Sequence, residues 1–197
     1  MSTNPKTYLT PEQYLEIDRK AEHKSEYYDG EMLAMSGASL PHNQLVRNLM
    51  GQLYQQLRRS QCSVLPSDMR VRVSATGLYT YPDVVAYCGE PQLMDKELDT
   101  LLNPSLIVQV LSPSTEAYDR GRKFEHYQSI ESLTEYLLVS SDRVHVDLFT
   151  RQPDRGWLLT SVDQLEGSLD LQSVGARLSL ADLYENVDLG GRHSLKP

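Results

Sequence analysis

The segment Leu106-Ile107-Val108-Gln109-Val110-Leu111 is a nearly continuous apolar run interrupted by one amide. Such a run is expected of a strand buried on both faces, which requires a covering layer above and below its sheet. Gln109 sits inside that strand and needs a polar partner there. A second strand, Tyr81-Pro82-Asp83-Val84-Val85-Ala86-Tyr87, carries the same problem in stronger form. A carboxylate among apolar neighbours is costly unless it is paired or binds a metal. Pro82, which has no N–H to donate, places the start of this strand at an edge or entry point.

The flanking pattern supplies the covering layers. Thr10 caps a first helix, with Pro11 at its first position and Gln13 completing a capping box; it is expected to run to about residue 22. Asp29-Gly30 predicts a tight turn between strands at 25–28 and 31–36. Leu45, Val46, Leu49, Met50, Leu53, Tyr54 and Leu57 recur at helical spacing and predict a long helix over 40–59 that packs on the sheet. Residues 69–73 alternate as a strand, and 89–103 read as a loop or short helix. Ser112 and Pro113 open a helix expected to reach about residue 130. Further strands are expected at 133–140, 143–150 and 157–162, and a short docked helix at 178–184. The fold class is therefore α/β (α+β), a mixed central sheet flanked by helices. No internal repeat or linker is visible, so residues 1–188 read as one domain and 189–197 as a C-terminal tail.

Composition excludes several classes. Hydrophobic residues make up 40% and charged residues 23% of the 197 residues, which rules out bulk disorder, collagen and coiled coil. No apolar run approaches the roughly 20 residues of a membrane span, and the N-terminus has no secretory signal. Cys62 and Cys88 are isolated in sequence and read as reduced thiols, which places the chain in the cytoplasm. Acidic residues outnumber basic ones by 27 to 19, a net charge of -8 that disfavours strong nonspecific affinity for nucleic acid.

If the two polar-bearing strands are neighbours, Asp83 and Gln109 point into one site. Glu26 can approach from an early segment and Lys123 from the helix that follows. Together they make a small oxygen-rich site beside one cation, suited to a hard ion such as Mg²⁺. Each residue also has a plainer role. Asp119, Lys123 and Tyr127 lie four apart, as an exposed ion pair and a half-buried tyrosine would. Asp83 and Gln109 could be structural hydrogen-bonding groups. His42, before the long helix, either faces the cleft or helps start that helix. His126 and His145 lack partners at metal spacing, and Ser112 lacks a nucleophile elbow. Arg58, Arg59, Arg70 and Arg72 cluster in sequence, as a phosphate-tracking patch or as scattered surface charge. Arg120 and Arg122 are candidates for contacts to a phosphate backbone, or solvated helix residues.

The strings Tyr81-Pro82-Asp83-Val84-Val85, Val108-Gln109-Val110-Leu111-Ser112-Pro113-Ser114-Thr115 and Asp119-Arg120-Gly121-Arg122-Lys123-Phe124, with Tyr127, resemble the Uma-two family over residues 8–188. Glu26-Tyr27-Tyr28-Asp29-Gly30-Glu31 and Glu135-Tyr136-Leu137-Leu138-Val139 resemble it too. The resemblance implies a restriction-endonuclease-like fold of the PD-(D/E)XK superfamily. It further implies a Mg²⁺- or Mn²⁺-dependent nuclease acting on DNA, with Asp83 as principal metal ligand, Glu26 as accessory acid and Lys123 as a lysine moved from the strand, where Leu111 stands, to the following helix. His42, Tyr127 and Arg120 are accessory candidates. The family usually has Glu where this chain has Gln109. An amide oxygen can ligate a metal but brings no charge and cannot act as a base. The alternative function is therefore a catalytically weakened relative that binds nucleic acid or protein. A homodimer is expected, its interface along the terminal strands or the 178–184 segment.

Overall fold

The computed structural model describes residues 8–35 and 37–189; most of the expected C-terminal tail lies outside them. Helix α1 (Pro11–Asp18) carries the expected capping box, with the Thr10 hydroxyl accepting from Gln13 N and the Gln13 side chain accepting from Thr10 N. It ends four residues earlier than its sequence suggests. The Asp18 carboxylate at its end accepts the Ser25 N–H and bonds Tyr81 and the buried Arg70, which turns the chain into the first strand. Strands β1 (Ser25–Tyr28) and β2 (Glu31–Ala34) form the expected hairpin. Asp29 and Gly30 both take positive φ, 47° and 81°, as a turn that matches strand twist requires.

Helix α2 (Leu40–Leu57) follows, capped by Ser39. Its Leu45, Leu49, Leu53 and Leu57 are buried, whereas Tyr54, expected on that face, is 63% exposed. Strands β3 (Cys62–Pro66), β4 (Arg70–Val73), β5 (Leu78–Thr80), β6 (Val84–Cys88), β7 (Thr100–Leu101) and β8 (Leu106–Leu111) come next. Of these, β3, β5 and β7 are not expected from the sequence; β7 lies in the 89–103 segment expected as a loop or short helix and forms because it pairs in parallel with β4. Tyr81-Pro82-Asp83 is a lead-in rather than part of β6, so Asp83 stands at the strand's entrance.

Beyond β8 the expected helix is broken. It starts at Glu116 rather than Pro113, because the Ser112 hydroxyl bonds those of Ser114 and Thr115 instead of capping. A short α3 (Glu116–Tyr118) runs into a π-helical turn, Asp119–Lys123, and then α4 (Phe124–Tyr127). Strands β9 (Glu135–Ser140), β10 (Val146–Arg151) and β11 (Trp157–Val162) complete the main sheet. A small hairpin, β12 (Ser168–Leu171) and β13 (Ala176–Ser179), leads into α5 (Leu180–Leu183).

The main sheet has the order β11-β10-β9-β8-β6-β3, and β8 and β9 pair in parallel through the helical crossover. A second sheet, β2-β1-β5-β4-β7, lies beside it. Along β8 the side chains alternate between two cores. Leu106, Val108 and Val110 pack with the leucines of α2, and Ile107 and Leu111 pack with Phe124, Tyr127 and residues of β4 and β5. The expectation of a strand buried on both faces is met: all six residues are buried. Burying each large α2 leucine contributes about 1.5–3 kcal/mol.

Two expectations are corrected. Cys62 and Cys88 are joined as a disulfide. They are far apart in sequence, but β3 and β6 pair antiparallel with Cys62 directly opposite Cys88. This pairing removes the basis for reading reduced thiols. The 178–184 segment is not a free apolar face either. Leu178, Leu180, Leu183 and Tyr184 are buried in the core that holds α2. On β11, Leu158 and Leu159 remain exposed. Among the described residues no helix is long and apolar enough to cross a membrane.

Candidate functional site

Strand parity builds the site. Gln109 shares the face of Ile107 and Leu111, on the side of the helical crossover. In the antiparallel β6–β8 pair Val84 stands opposite Val108, so the register carried one residue further brings Asp83 opposite Gln109. The Asp83 Oδ2 accepts the Val110 N–H at 2.7 Å, and Oδ1 lies 3.2 Å from His42 Nε2 at the start of α2. Burial opposes a charge on His42, but the hydrogen bond and charge of Asp83, with help from Asp119, raise its pKa overall.

The crossover and the β1 strand supply the rest. Lys123 Nζ is 2.7 Å from Glu26 Oε1 and 3.3 Å from Asp119 Oδ1. All three side chains are under one-tenth exposed, so the surface ion pair suggested by the 119/123 spacing is instead a buried triad. Burial works against the Lys123 charge, yet Tyr127, Glu26 and Asp119 outweigh it and hold its pKa above the ordinary value. Burial raises the Asp119 pKa against the pull of Lys123. Thr80 donates its hydroxyl to Glu26. Gln109 donates Nε2 to the Tyr127 hydroxyl at 3.3 Å, and its amide oxygen accepts no hydrogen bond among the described residues. Tyr127 is wholly buried, with its pKa pushed up by burial; it supports Gln109 from behind rather than lining the opening.

These side chains meet in an open cleft of about 520 Å³ lined by Glu26, His42, Asp83, Gln109, Asp119 and Lys123, with Ser112, Ser114 and Thr115 along its rim. The structure thus gathers Asp83, Gln109, Glu26, Lys123 and His42, with Tyr127 behind them. It does not bring in Arg120, whose guanidinium bonds Glu116 at 2.7 Å and Asp147 at 2.6 Å and ties the crossover to β10. The cluster of Arg58, Arg59, Arg70 and Arg72 is not a patch, since Arg70 is buried against Asp18. Sequence reasoning treated Asp119 only as a helix-spacing partner of Lys123. The signal was present in that spacing, but nothing local distinguishes a buried pair from an exposed one.

The chemistry of the donors suits a hard cation. Every donor except His42 is oxygen, three carboxylates against one ammonium leave a formal excess of two negative charges, and Gln109 offers an unpartnered oxygen. Among the described residues no three His, Cys, Asp or Glu side chains group at metal-ligating spacing. That excludes a closed protein cage but fits Mg²⁺, which retains waters and commonly takes only one or two carboxylates.

A mixed sheet flanked by helices, with this cleft at the entrance of one central strand, places the chain among proteins of nuclease-like fold. It matches a crystal structure of "a putative nuclease belonging to DUF820" from Anabaena variabilis with a TM-score of 0.73, covering 90% of this chain and 98% of that one at 15% identity. The chain belongs to the Uma2 family, described as "Putative restriction endonuclease", which matches residues 11–181. Two relatives in Synechocystis sp. are both named only as uncharacterized proteins. The protein slr1290 is 36% identical over 179 residues, covering 91% of this chain and 93% of its own length. The protein sll1609 is 38% identical over 154 residues, covering 78% and 87%.

Proposed function

We propose that the protein is a divalent-cation-dependent nuclease that hydrolyses DNA phosphodiester bonds in this cleft. The observation that carries the proposal is the meeting of Asp83, Gln109, Glu26 and Lys123, from four separate segments of the chain, in one open cleft. Asp83 and Gln109, with Glu26 beside them, would hold Mg²⁺ or Mn²⁺. When bound, the cation supplies a more acidic water and Lewis-acid stabilisation of the phosphate. The chain's own residues do the remaining work. Val110 N–H and His42 fix the Asp83 carboxylate. Tyr127 orients the Gln109 amide so that its oxygen is the free end. Lys123, held charged by Glu26 and Asp119, offsets negative charge that develops on the phosphate.

A second reading, a catalytically weakened relative that binds nucleic acid or protein, is favoured by two observations. Gln109 brings no charge, and Lys123 is already occupied by two carboxylates. Cleavage of supercoiled plasmid and of single-stranded DNA in Mg²⁺ and in Mn²⁺, by the wild type, Asp83→Ala and Gln109→Glu, separates the two. The nuclease reading expects cutting by the wild type and its loss in Asp83→Ala. Cutting by Gln109→Glu alone would establish the second reading, and no cutting by either protein would remove the nuclease reading.

A further inference from the structure

Position 109 carries an amide, yet the cleft is not short of carboxylates. Three side chains are available to complete a site built on Asp83, and they differ in how committed they are. Glu26 Oε1 takes both the Thr80 hydroxyl and Lys123 Nζ, the latter at 2.7 Å. His42 already bonds Asp83, and its Nδ1 is buried without a partner. Asp119 holds Lys123 less closely, at 3.3 Å, has the Thr115 hydroxyl as a further partner, and lines the same cleft as Asp83 and Gln109. Its field also reaches the Asp83–His42 pair.

The backbone explains why Asp119 is there. The crossover passes through a π-helical turn at Asp119–Lys123, and both end residues of that turn are buried, whereas Arg120 between them reaches out to β10. Wide turns of this kind are rare and recur at functional sites. The turn delivers a carboxylate and an ammonium together to the cleft. The Gln109 side chain, only 4% exposed, lines that cleft, and its amide oxygen, which accepts no hydrogen bond among the described residues, marks a place for a ligand atom independently of the acidic side chains.

We propose that Asp119 supplies the carboxylate that position 109 lacks, so that the cation is held between Asp83 and Asp119 with Gln109 as a neutral oxygen ligand. This rests on the nuclease reading for its biological meaning, but it is a statement about cation binding and is tested as one. Binding of Mn²⁺ alone to the full chain is measured by titration calorimetry for the wild type, Asp83→Asn, Asp119→Asn, Gln109→Glu and the double variant Gln109→Glu/Asp119→Asn. Thermal unfolding of each protein accompanies the titration.

The wild type is expected to bind Mn²⁺, and Asp83→Asn to lose binding. Asp119→Asn is expected to weaken binding on the order of tenfold or more, because a charged oxygen ligand is removed. The double variant restores it, since it returns the second carboxylate from the strand. Gln109→Glu alone keeps the Asp119 side chain and its pair with Lys123. A site already holding two carboxylates gains less from it than the double variant gains over Asp119→Asn. This comparison remains decisive if Asp119→Asn proves unfolded, because a gain in Gln109→Glu of about a hundredfold would show a site starved of a carboxylate and overturn the proposal. Unchanged Mn²⁺ affinity in a folded Asp119→Asn also overturns it, and leaves the nuclease reading standing if Asp83→Asn still abolishes binding. A wild type that binds no Mn²⁺ and cuts no DNA removes both readings together.

Discussion

At the scale of single residues, the Lys123–Glu26 pair sets the energetics of the cleft. Both side chains are more than nine-tenths buried, so each is desolvated and depends on the other. Removing one partner leaves an uncompensated buried charge, which costs about 3–5 kcal/mol. Lys123→Met is therefore expected to lower unfolding free energy by at least that order in urea denaturation, and Glu26→Gln/Lys123→Met to recover only part of it, because buried Asp119 still lacks its ammonium partner. A Lys123→Met protein within about 1 kcal/mol of wild type would mean that water reaches the pair and that it is worth no more than a surface bridge. The roles of Asp83 and Gln109 were open in the sequence because a polar group inside an apolar strand announces its own cost. Asp119 was not legible, since an acid four residues before a lysine is the commonest exposed pair on any helix. Only the layers packed around the crossover decide that this one is buried.

At the scale of elements, the legible parts were those with a strong local rule. The α1 capping box, the Asp29-Gly30 hairpin and the leucine stripe of α2 depend on residues within one or two turns of each other. Ser39, which the sequence reading passed over, accepts the His42 N–H as the cap of α2. Ser39→Ala is expected to cost about 1 kcal/mol, read as a fall in the chemical-denaturation midpoint. The crossover broke the local rule, because the hydroxyls of Ser112, Ser114 and Thr115 bond each other and delay the helix. Gly121 sits inside the π-helical turn, and a Cβ added there meets nothing within 4 Å. Gly121→Ala should then stabilise the protein by up to about 1 kcal/mol, the ordinary gain of alanine over glycine in a helix. A melting temperature that falls instead would show that the wide turn depends on glycine's backbone freedom, and that the delivery of Asp119 and Lys123 to the cleft rests on it.

At the scale of the whole molecule, what the sequence withheld was pairing over long separations. Strands β3, β5, β12 and β13 are short and carry weak alternation, so they exist because partners elsewhere in the chain hold them. The Cys62–Cys88 bond is invisible for the same reason, being set by the β3–β6 register. The same long-range packing makes the fold sensitive to alkali. Tyr184 anchors α5 to the β9–β10 corner, its hydroxyl lying 3.0 Å from Ser140 O and accepting the His145 N–H at 3.1 Å. Burial pushes its pKa from 10.0 up to about 12. Burial likewise raises Tyr14, Tyr81, Tyr127 and Tyr136 in the other cores. A group whose folded pKa is raised favours the native state fully below its unfolded pKa, here about 10. That contribution drains away as pH rises from about 10 through the folded value near 12 for Tyr184. Unfolding free energy should therefore decline across this window, with several tyrosines adding to the slope. Followed together, far-ultraviolet circular dichroism and phenolate absorbance at alkaline pH should show these buried tyrosines ionising as the sheets are lost. If all 12 tyrosines ionise by about pH 11 with the dichroism unchanged, the buried hydroxyls are open to solvent and the anchoring role of Tyr184 fails.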